Sequence, residues 1–276
     1  MMTTALLALA LAGFSPVPTQ RPIVRAPIIV WTPPIVAWPV GREPMAQLGY
    51  GAMRTRSGTK DHAEALDAVG LRLAADWSVE ATFRMLAVPS ATVGIVTKGR
   101  NYKILVVPVG GVMYVTAGFG IVQPIITPTL VLGEWYSAGV TWNSATEYIS
   151  LYLVRRNCGG VYVTSTSQHF AGATTYGAET YPLRIGASDD GSGVASNIGD
   201  AAITEVRLSS VVRDLASFTA GYATRYTGNE SGLVALYTAD DGIEGGATIQ
   251  DKTGNGYDAT FTGVPLWSSA PEDLSY

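Results

Sequence analysis

Charged side chains are scarce in this chain of 276 residues. Asp, Glu, Lys and Arg together make up 14% of it, whereas about 25% is usual for soluble domains. We therefore expect other subunits to cover part of its surface, as in a homo-oligomer or a many-copy assembly. The formal net charge of −4 gives no basic footprint, so we do not expect nucleic acid as a partner.

Residues that build metal, disulfide and nucleophile sites are also few. Cys158 is the only cysteine, which excludes an internal disulfide and a cysteine-based zinc site. His62 and His169 are the only histidines, and neither lies in a zinc-binding or nucleophile-elbow motif. The glycines form no phosphate-binding or dinucleotide-binding motif at the start of a helix, so we assign them to turns.

Proline and branched aliphatic residues dominate the N-terminal region. Five prolines between residues 21 and 40 block helix and central-strand positions, which keeps this stretch extended. Because the stretch is too apolar for a solvated linker, we predict that residues 1–48 are an arm that anchors the chain to other subunits. The predicted contact residues are Ile23, Val24, Ile28, Ile29, Trp31, Ile35, Val36 and Trp38.

The first residues allow a second interpretation. The apolar run at residues 5–12 ends in an Ala-Leu-Ala that a signal peptidase could cleave, although no Lys or Arg precedes the run. A cleaved signal peptide therefore remains an alternative to a retained assembly arm. The run is too short to span a bilayer, which takes about 20 apolar residues, so we predict no membrane span.

The rest of the chain has the pattern of an all-β protein. From Asp76 to Met85 apolar and polar residues alternate, as in a half-buried antiparallel strand. A polar connector is expected at residues 41–60, and one short helix at 214–222, where Leu215, Phe218 and Tyr222 share a face. Further strands are predicted at residues 93–97, 102–107, 112–117, 136–142, 149–154, 161–165, 183–186 and 202–208.

Six segments form a recognisable series along the chain. They are WSVEATFR at 77–84, GIVTKGRNY at 94–102, LGEWYSAGVTW at 132–142, ISLYL at 149–153, PLRIGAS at 182–188 and AITEVRLSSVVRDL at 202–215. In this order they resemble the laminin G-like group of the concanavalin A-like lectin and glucanase superfamily. The resemblance covers most of the chain after Leu66, and a tail at 232–262 resembles a segment that usually precedes the first strand of such domains.

This resemblance implies an antiparallel jelly-roll β-sandwich of the concanavalin A-like type. We place the sandwich at residues 49–228 and a C-terminal β-hairpin segment at 229–276, which either completes this sandwich or begins another unit. Glu80, Glu134, Glu205 and Arg207 are interpreted as residues that form strand ends and cross-strand pairs.

Catalysis is not expected. Retaining glucanases of the superfamily carry an E-x-D-x-x-E pattern, because glycoside cleavage needs two carboxyl groups that face one bond. This chain lacks the pattern, and its strand carboxylates Glu80, Glu147 and Glu205 are isolated. We therefore predict no enzymatic activity.

Calcium is the one cofactor that the resemblance suggests. Laminin G-like domains often bind it at the sandwich rim, and two loops here are rich in the oxygen ligands that it prefers. The alternative is that these residues are turn formers whose side chains bond their own backbone. The candidate ligands are Asp189, Asp190 and Asp200 in the first loop, and Asp240, Asp241, Asp251, Asn255 and Asp258 in the second.

A cell-surface glycan is a further expected partner, because exposed aromatic rings suit stacking on sugars. The candidate rings are Tyr148, Tyr152, Tyr162, Tyr176 and Tyr181. The arm and the sandwich together predict a structural or adhesion protein of a multi-subunit particle, namely a bacteriophage virion with head decorations, fibres or tail appendages. The alternative is a secreted bacterial carbohydrate-binding lectin with a cleaved signal peptide.

Overall fold

A computed structural model of the chain describes residues 51–120, 122–157, 160–172, 179–189, 193–221, 226–239, 246–264 and 266–269. The predicted anchoring arm lies outside the described residues. Within them, the chain forms two large antiparallel sheets that pack face to face, with one short helix, α1 (Leu215–Gly221), and a 3₁₀ turn at Val69–Leu71. The predicted antiparallel β-sandwich with one short helix is confirmed.

Strands are numbered in chain order, and the described part of each large sheet has eight. The first sheet contains, in spatial order, β10 (Gly160–His169), β9 (Tyr148–Asn157), β8 (Trp135–Asn143), β3 (Trp77–Met85), β14 (Ala201–Ser209), β1 (Gly51–Thr55) and β18 (Leu266–Ser269), while β15 (Leu233–Thr238) also pairs with β14.

The second sheet lies opposite the first. Its spatial order is β16 (Thr248–Ile249), β17 (Ala259–Thr262), β2 (His62–Ala65), β11 (Leu183–Ile185), β4 (Val93–Lys98), β5 (Tyr102–Val109), β6 (Val112–Phe119) and β7 (Val122–Leu130). A small separate pair joins β12 (Ser188–Asp189) to β13 (Ala195–Ser196).

The core lies between the sheets and is rich in aromatic rings. Trp77 of β3 is fully buried, 6.0 Å from the ring of Tyr102 and 6.2 Å from the ring of Phe119. The ring of Phe119 is in turn 4.8 Å from that of Trp142 in an edge contact. Edge contacts of this kind add about 0.5–1.5 kcal/mol each beyond area burial. The alternation in β3 thus places its apolar residues between the sheets and Ser78, Glu80 and Thr82 on the outer face of the first sheet.

Strands β1 and β7 are among those that the sequence does not predict. Residues 51–55 form β1, largely buried between β14 and β18, although residues 41–60 were predicted to be a polar connector. Segment 122–130 forms β7 at the edge of the second sheet, where its two prolines need no partner for an N–H. Neither segment has a clean apolar alternation.

The C-terminal residues add strands to both sheets. β15 pairs with β14 and β18 pairs with β1 in the first sheet, whereas β17 pairs with β2 in the second. The core therefore depends on strands from both ends of the described chain. None of the helices in the described ranges is long and apolar enough to cross a membrane.

Candidate functional site

An exposed aromatic and polar cluster lies on the outer face of the first sheet, where β9 begins and β10 ends. Antiparallel register places Tyr148 opposite His169 and Ser150 opposite Ser167. The two rings are 5.1 Å apart with 45° between their planes, and the two serine hydroxyls are 2.6 Å apart. We call these four residues, together with Glu147, the Tyr148 surface.

The Tyr148 surface is open to solvent. Tyr148 is 45% exposed and the His169 side chain 48%. An aromatic ring with this exposure leaves apolar area in water, although its hydroxyl remains solvated. Covering such a ring with an amphipathic ligand is therefore favourable, because it removes apolar area from water.

Glu147 fixes the shape of this surface. Its φ is +55°, a left-handed conformation that costs a non-glycine residue about 1–3 kcal/mol and persists only where surrounding contacts enforce it. Its carbonyl oxygen accepts the N–H of Phe170 at 2.9 Å, and its carboxylate accepts the N–H of Gly172, also at 2.9 Å. The second carboxylate oxygen lies 3.6 Å from Nε2 of His169. The turn before β9 is thus tied to the end of β10.

This arrangement offers the kinds of contact that a sugar ring makes. A pyranose ring presents an apolar C–H face that can lie on an aromatic ring, and its hydroxyls need both donors and acceptors. The tyrosine ring offers the first, and the serine hydroxyls, the imidazole and the carboxylate offer the second. Because the Glu147 carboxylate already accepts a backbone N–H, its contribution is to position and to accept hydrogen bonds.

The other four tyrosines that were predicted to stack on sugars fall into two groups. Two have buried or half-buried side chains, and the side chains of the other two lie outside the described residues. Tyr152 is buried, with its ring stacked 5.6 Å from that of Phe218 of α1. Tyr181 is half-buried, and its carbonyl oxygen accepts a hydrogen bond from Nζ of Lys98. Tyr176 and the side chain of Tyr162 lie outside the described residues.

The candidate ligands of the first loop are engaged with other parts of the fold. Asp189 pairs with Nη1 of buried Arg184 at 2.8 Å. Asp200 accepts the backbone N–H of Ser57 at 2.9 Å and so ties the start of β14 to the loop after β1. Asp190 lies outside the described residues. The structure thus gives Asp189 and Asp200 separate structural roles.

The second loop is organised around Asp251. Its carboxylate accepts the N–H groups of Leu236 and Thr253, at 3.1 and 3.0 Å, and its own N–H donates to Asp258 at 2.8 Å. The side-chain amide of Asn255 donates to a carbonyl of β15 at 2.9 Å. The bond from Thr253 is local to the turn, whereas those with Leu236 and with the β15 carbonyl tie the loop to that strand.

Calcium binding stays a prediction. Asp240 and Asp241 lie outside the described residues, as do all eight predicted contact residues of the arm. Within the described ranges, no group of three or more His, Cys, Asp or Glu side chains could hold a metal ion. A site would therefore draw on backbone carbonyls or on carboxylates outside those ranges.

A buried charge cluster lies elsewhere on the same outer face. Arg207 of β14 is paired in register with Glu80 of β3, at 3.3 Å, and also with Glu205. Arg213 approaches Glu80 from the other side at 2.6 Å. Burial raises the pKa of Glu80 above its ordinary value, although both arginines act in the opposite direction. The ring of Tyr226 covers the guanidinium of Arg207 at 3.8 Å. The charged groups of this cluster thus pair with one another, as expected from the interpretation of Glu80 and Arg207 as residues of a cross-strand pair.

Sequence reasoning identified Tyr148 but not its neighbours. His169 is outside any motif and Glu147 is isolated in the sequence, so neither gave a signal alone. The two meet only because β9 and β10 pair through ten residues without a register shift. The turn-forming sequence Asn157-Cys158-Gly159-Gly160, together with the lengths of both strands, is the information from which this pairing could have been proposed.

No protein-family model matches the chain, and no curated protein matches it in sequence. Solved structures do match. A candidate carbohydrate-binding protein from Bacteroides ovatus aligns with a TM-score of 0.62 and 17% identity, over 80% of this chain and 60% of that one.

A tailspike protein from a bacteriophage of Escherichia coli O157:H7 is also similar. Its full-length structure aligns with a TM-score of 0.50 over 72% of this chain and 28% of that one. Its enzymatically active domain gives 0.51 over 72% and 31%, and both alignments have 12% identity. This chain thus spans 60% of the Bacteroides protein and less than a third of the tailspike structures. At these identities the similarity establishes a shared β-sandwich fold.

Proposed function

We propose that this chain is a non-enzymatic adhesion component of a bacteriophage virion, such as a head decoration, fibre or tail appendage. Its N-terminal arm anchors it to other subunits, and its laminin G-like sandwich binds a cell-surface glycan. Three features support this proposal: the apolar proline-rich arm, the fold shared with a phage tailspike, and the fold shared with a candidate carbohydrate-binding protein.

The Tyr148 surface is the observation that carries the glycan-binding role. It combines an exposed ring with the Ser150 and Ser167 hydroxyls and with His169, and the hydrogen bonds of Glu147 hold them in place. A site that is already ordered loses little conformational freedom when a ligand binds. Binding would cover the tyrosine ring with the apolar face of one sugar unit.

A glycan array followed by titration of a positive glycan tests this role. Tyr148→Ala should weaken binding by about 10- to 100-fold, since covering a large side chain contributes about 1.5–3 kcal/mol. Tyr114→Ala, at a half-buried position on β6 of the second sheet, is the matched control and should bind normally. Equal affinity of the wild type and Tyr148→Ala for every positive glycan would remove the Tyr148 surface from the proposal.

The non-enzymatic part of the proposal rests on how the carboxylates are used. Glycoside cleavage needs an acid and a second carboxylate that face one bond. Glu80 and Glu205 each pair with Arg207, and Glu147 accepts a backbone N–H. Because the similar tailspike contains an enzymatically active domain, a polysaccharide panel is the appropriate test. Hydrolysis that disappears when one carboxylate is replaced would contradict the proposal.

A secreted bacterial lectin is the second candidate function. The apolar run at residues 5–12 and the similarity to a Bacteroides protein favour it. Mass spectrometry of the protein from its natural source separates the two candidates. A mature chain that starts near Gly13 supports secretion, whereas a chain that retains the leader supports the virion component.

A further inference from the structure

Strand β10 leaves one long edge of the first sheet without a described partner strand. All ten of its residues pair with β9, and the register has no shift. It contains no proline and no Asp, Glu, Lys or Arg. Natural sheets usually protect an edge of this length with a charge, a proline or a bulge, because its free N–H and C=O groups accept another strand.

The other described edges have such protection or are short. β7 contains Pro124 and Pro128, and its pairing with β6 has two register shifts. β16 and β18 have two and four residues, and β15, with six, is joined at Tyr237 to Asp251. Among the described strands, β10 is the one edge longer than six residues that has neither a proline nor a register shift.

We propose that two copies of this chain associate through β10, which pairs in antiparallel orientation with the β10 of the second copy. A two-fold axis makes such an interface self-complementary: residue i of one copy meets residue j of the other, residue j meets residue i, and only the residue on the axis meets its own copy. Like charges directly opposite each other would destabilise the pair, and this strand brings none. Its Thr and Ser residues also have the cross-strand hydrogen-bonding character that favours sheets.

The predicted arm is a less suitable occupant for this edge. It has five prolines between residues 22 and 39, and each removes an N–H from an added strand. A second β10 offers ten residues with complete backbone donors. The arm is therefore left to its predicted contacts with other subunits.

The two-fold symmetry also sets how the two Tyr148 surfaces are oriented, and its importance for ligand binding rests on the proposed glycan function. An antiparallel edge-to-edge pair has its two-fold axis perpendicular to the sheet, so the outer faces of both copies point the same way. His169, which belongs to the Tyr148 surface, is the last residue of β10. When the two-fold axis passes near Ser165, the two Tyr148 surfaces therefore lie about 25 to 35 Å apart along the strands. The dimer thus presents two glycan sites to one cell surface.

Sedimentation of the full chain, with one charge added to the edge, tests the association. Ser165 is half-buried near the middle of β10, opposite Tyr152. We expect a dimer for the wild type and a monomer for Ser165→Lys, because the two-fold axis brings both lysines together. The matched control Ser90→Lys adds the same charge at an exposed loop position and should remain dimeric.

Other results would overturn the inference. They are a wild type that is monomeric throughout the micromolar range, or a Ser165→Lys variant that still dimerises. A variant without residues 1–44 should dimerise normally, so its conversion to a monomer would assign the interface to the arm. Unchanged melting temperatures exclude unfolding as the cause of a lost dimer, and a Ser165→Thr variant, which adds no charge, should dimerise.

Glycan binding separates this inference from the proposed function. Ser165→Lys should bind a soluble monovalent glycan like the wild type and lose about 100-fold in apparent affinity on a dense glycan surface. Tyr148→Ala should weaken binding in both formats. If neither protein binds any glycan while the wild type is a dimer and Ser165→Lys is not, the interface stands and the glycan role fails.

Discussion

Nη1 of Arg207 donates to Oε2 of Glu80 across the β3–β14 pair, 3.3 Å apart, with both side chains less than 10% exposed. Arg213 reaches the other oxygen of Glu80, and Glu205 accepts from Nε of Arg207. Tyr226 covers the arginines from outside. The outer face of the first sheet therefore has a closed charge cluster in one place and an open polar surface in another.

Replacing Glu80 should strongly destabilise the protein. Glu80→Ala removes the carboxylate that pairs with buried Arg207 and with partly buried Arg213, and breaking such a cluster typically costs about 3–5 kcal/mol of unfolding free energy. Glu134→Ala is the control, because Glu134 pairs with Arg155 at 3.3 Å where both are partly exposed, and it should cost less than about 1 kcal/mol. Urea unfolding measures both, and similar losses would contradict a structural role specific to the buried cluster.

Asp67 should make stability depend on acid pH. Hydrogen bonds from Arg72 and then from buried Lys98 hold the pKa of Asp67 below its ordinary value of 3.8, despite the opposing effect of burial. The folded state therefore gains stability from ionised Asp67 above that value and loses it as the pH falls through the lowered pKa. Asp67→Asn should cost about 1.5–3 kcal/mol at neutral pH.

The pH profile separates this effect from a simple packing defect. The difference in unfolding free energy between wild type and Asp67→Asn should be constant from neutral pH to about 5. It should shrink as the pH falls from about 5 to about 2, where Asp67 becomes protonated first in the unfolded and then in the folded state. A difference that stays constant over this range would mean that the charge of Asp67 contributes nothing.

Calcium binding at the two acidic loops predicts a melting temperature that is higher in millimolar calcium than in chelator. Asp190→Ala should abolish this increase if the first loop binds the ion. Asp189→Ala is unsuitable for the purpose, because it also breaks the buried pair with Arg184. A melting temperature that is the same in calcium and in chelator would contradict the prediction for both loops.

Deletion of residues 1–44 should abolish attachment to the particle and leave the sandwich folded. The eight predicted contact side chains lie in that segment, and burying each contributes about 1.5–3 kcal/mol. Electron microscopy of particles assembled with the deleted chain gives the result, and circular dichroism checks its fold. A deleted chain that still occupied its normal place would contradict the anchoring role.

Clear periodicity made much of the sandwich predictable. The alternation from Trp77 to Met85 gave β3 and its buried face, and the helical spacing of Leu215 and Phe218 gave α1. β1 was not predicted, because its GAMRT sequence has no clean alternation and only one β-branched residue, Thr55, and is buried by neighbouring strands on both sides. Its burial is a tertiary effect that local sequence does not contain.

The sequence by itself determined the class of fold, the low charge and the apolar, proline-rich composition of residues 21–40, because these follow from composition and short-range periodicity. Only the tertiary structure decided which side chains meet. Strand register brought Tyr148 to His169 and Glu80 to Arg207, and it joined the C-terminal strands to both sheets. The physical reason is that pairing between strands distant in sequence is chosen by the burial of the whole core, so no local segment specifies it.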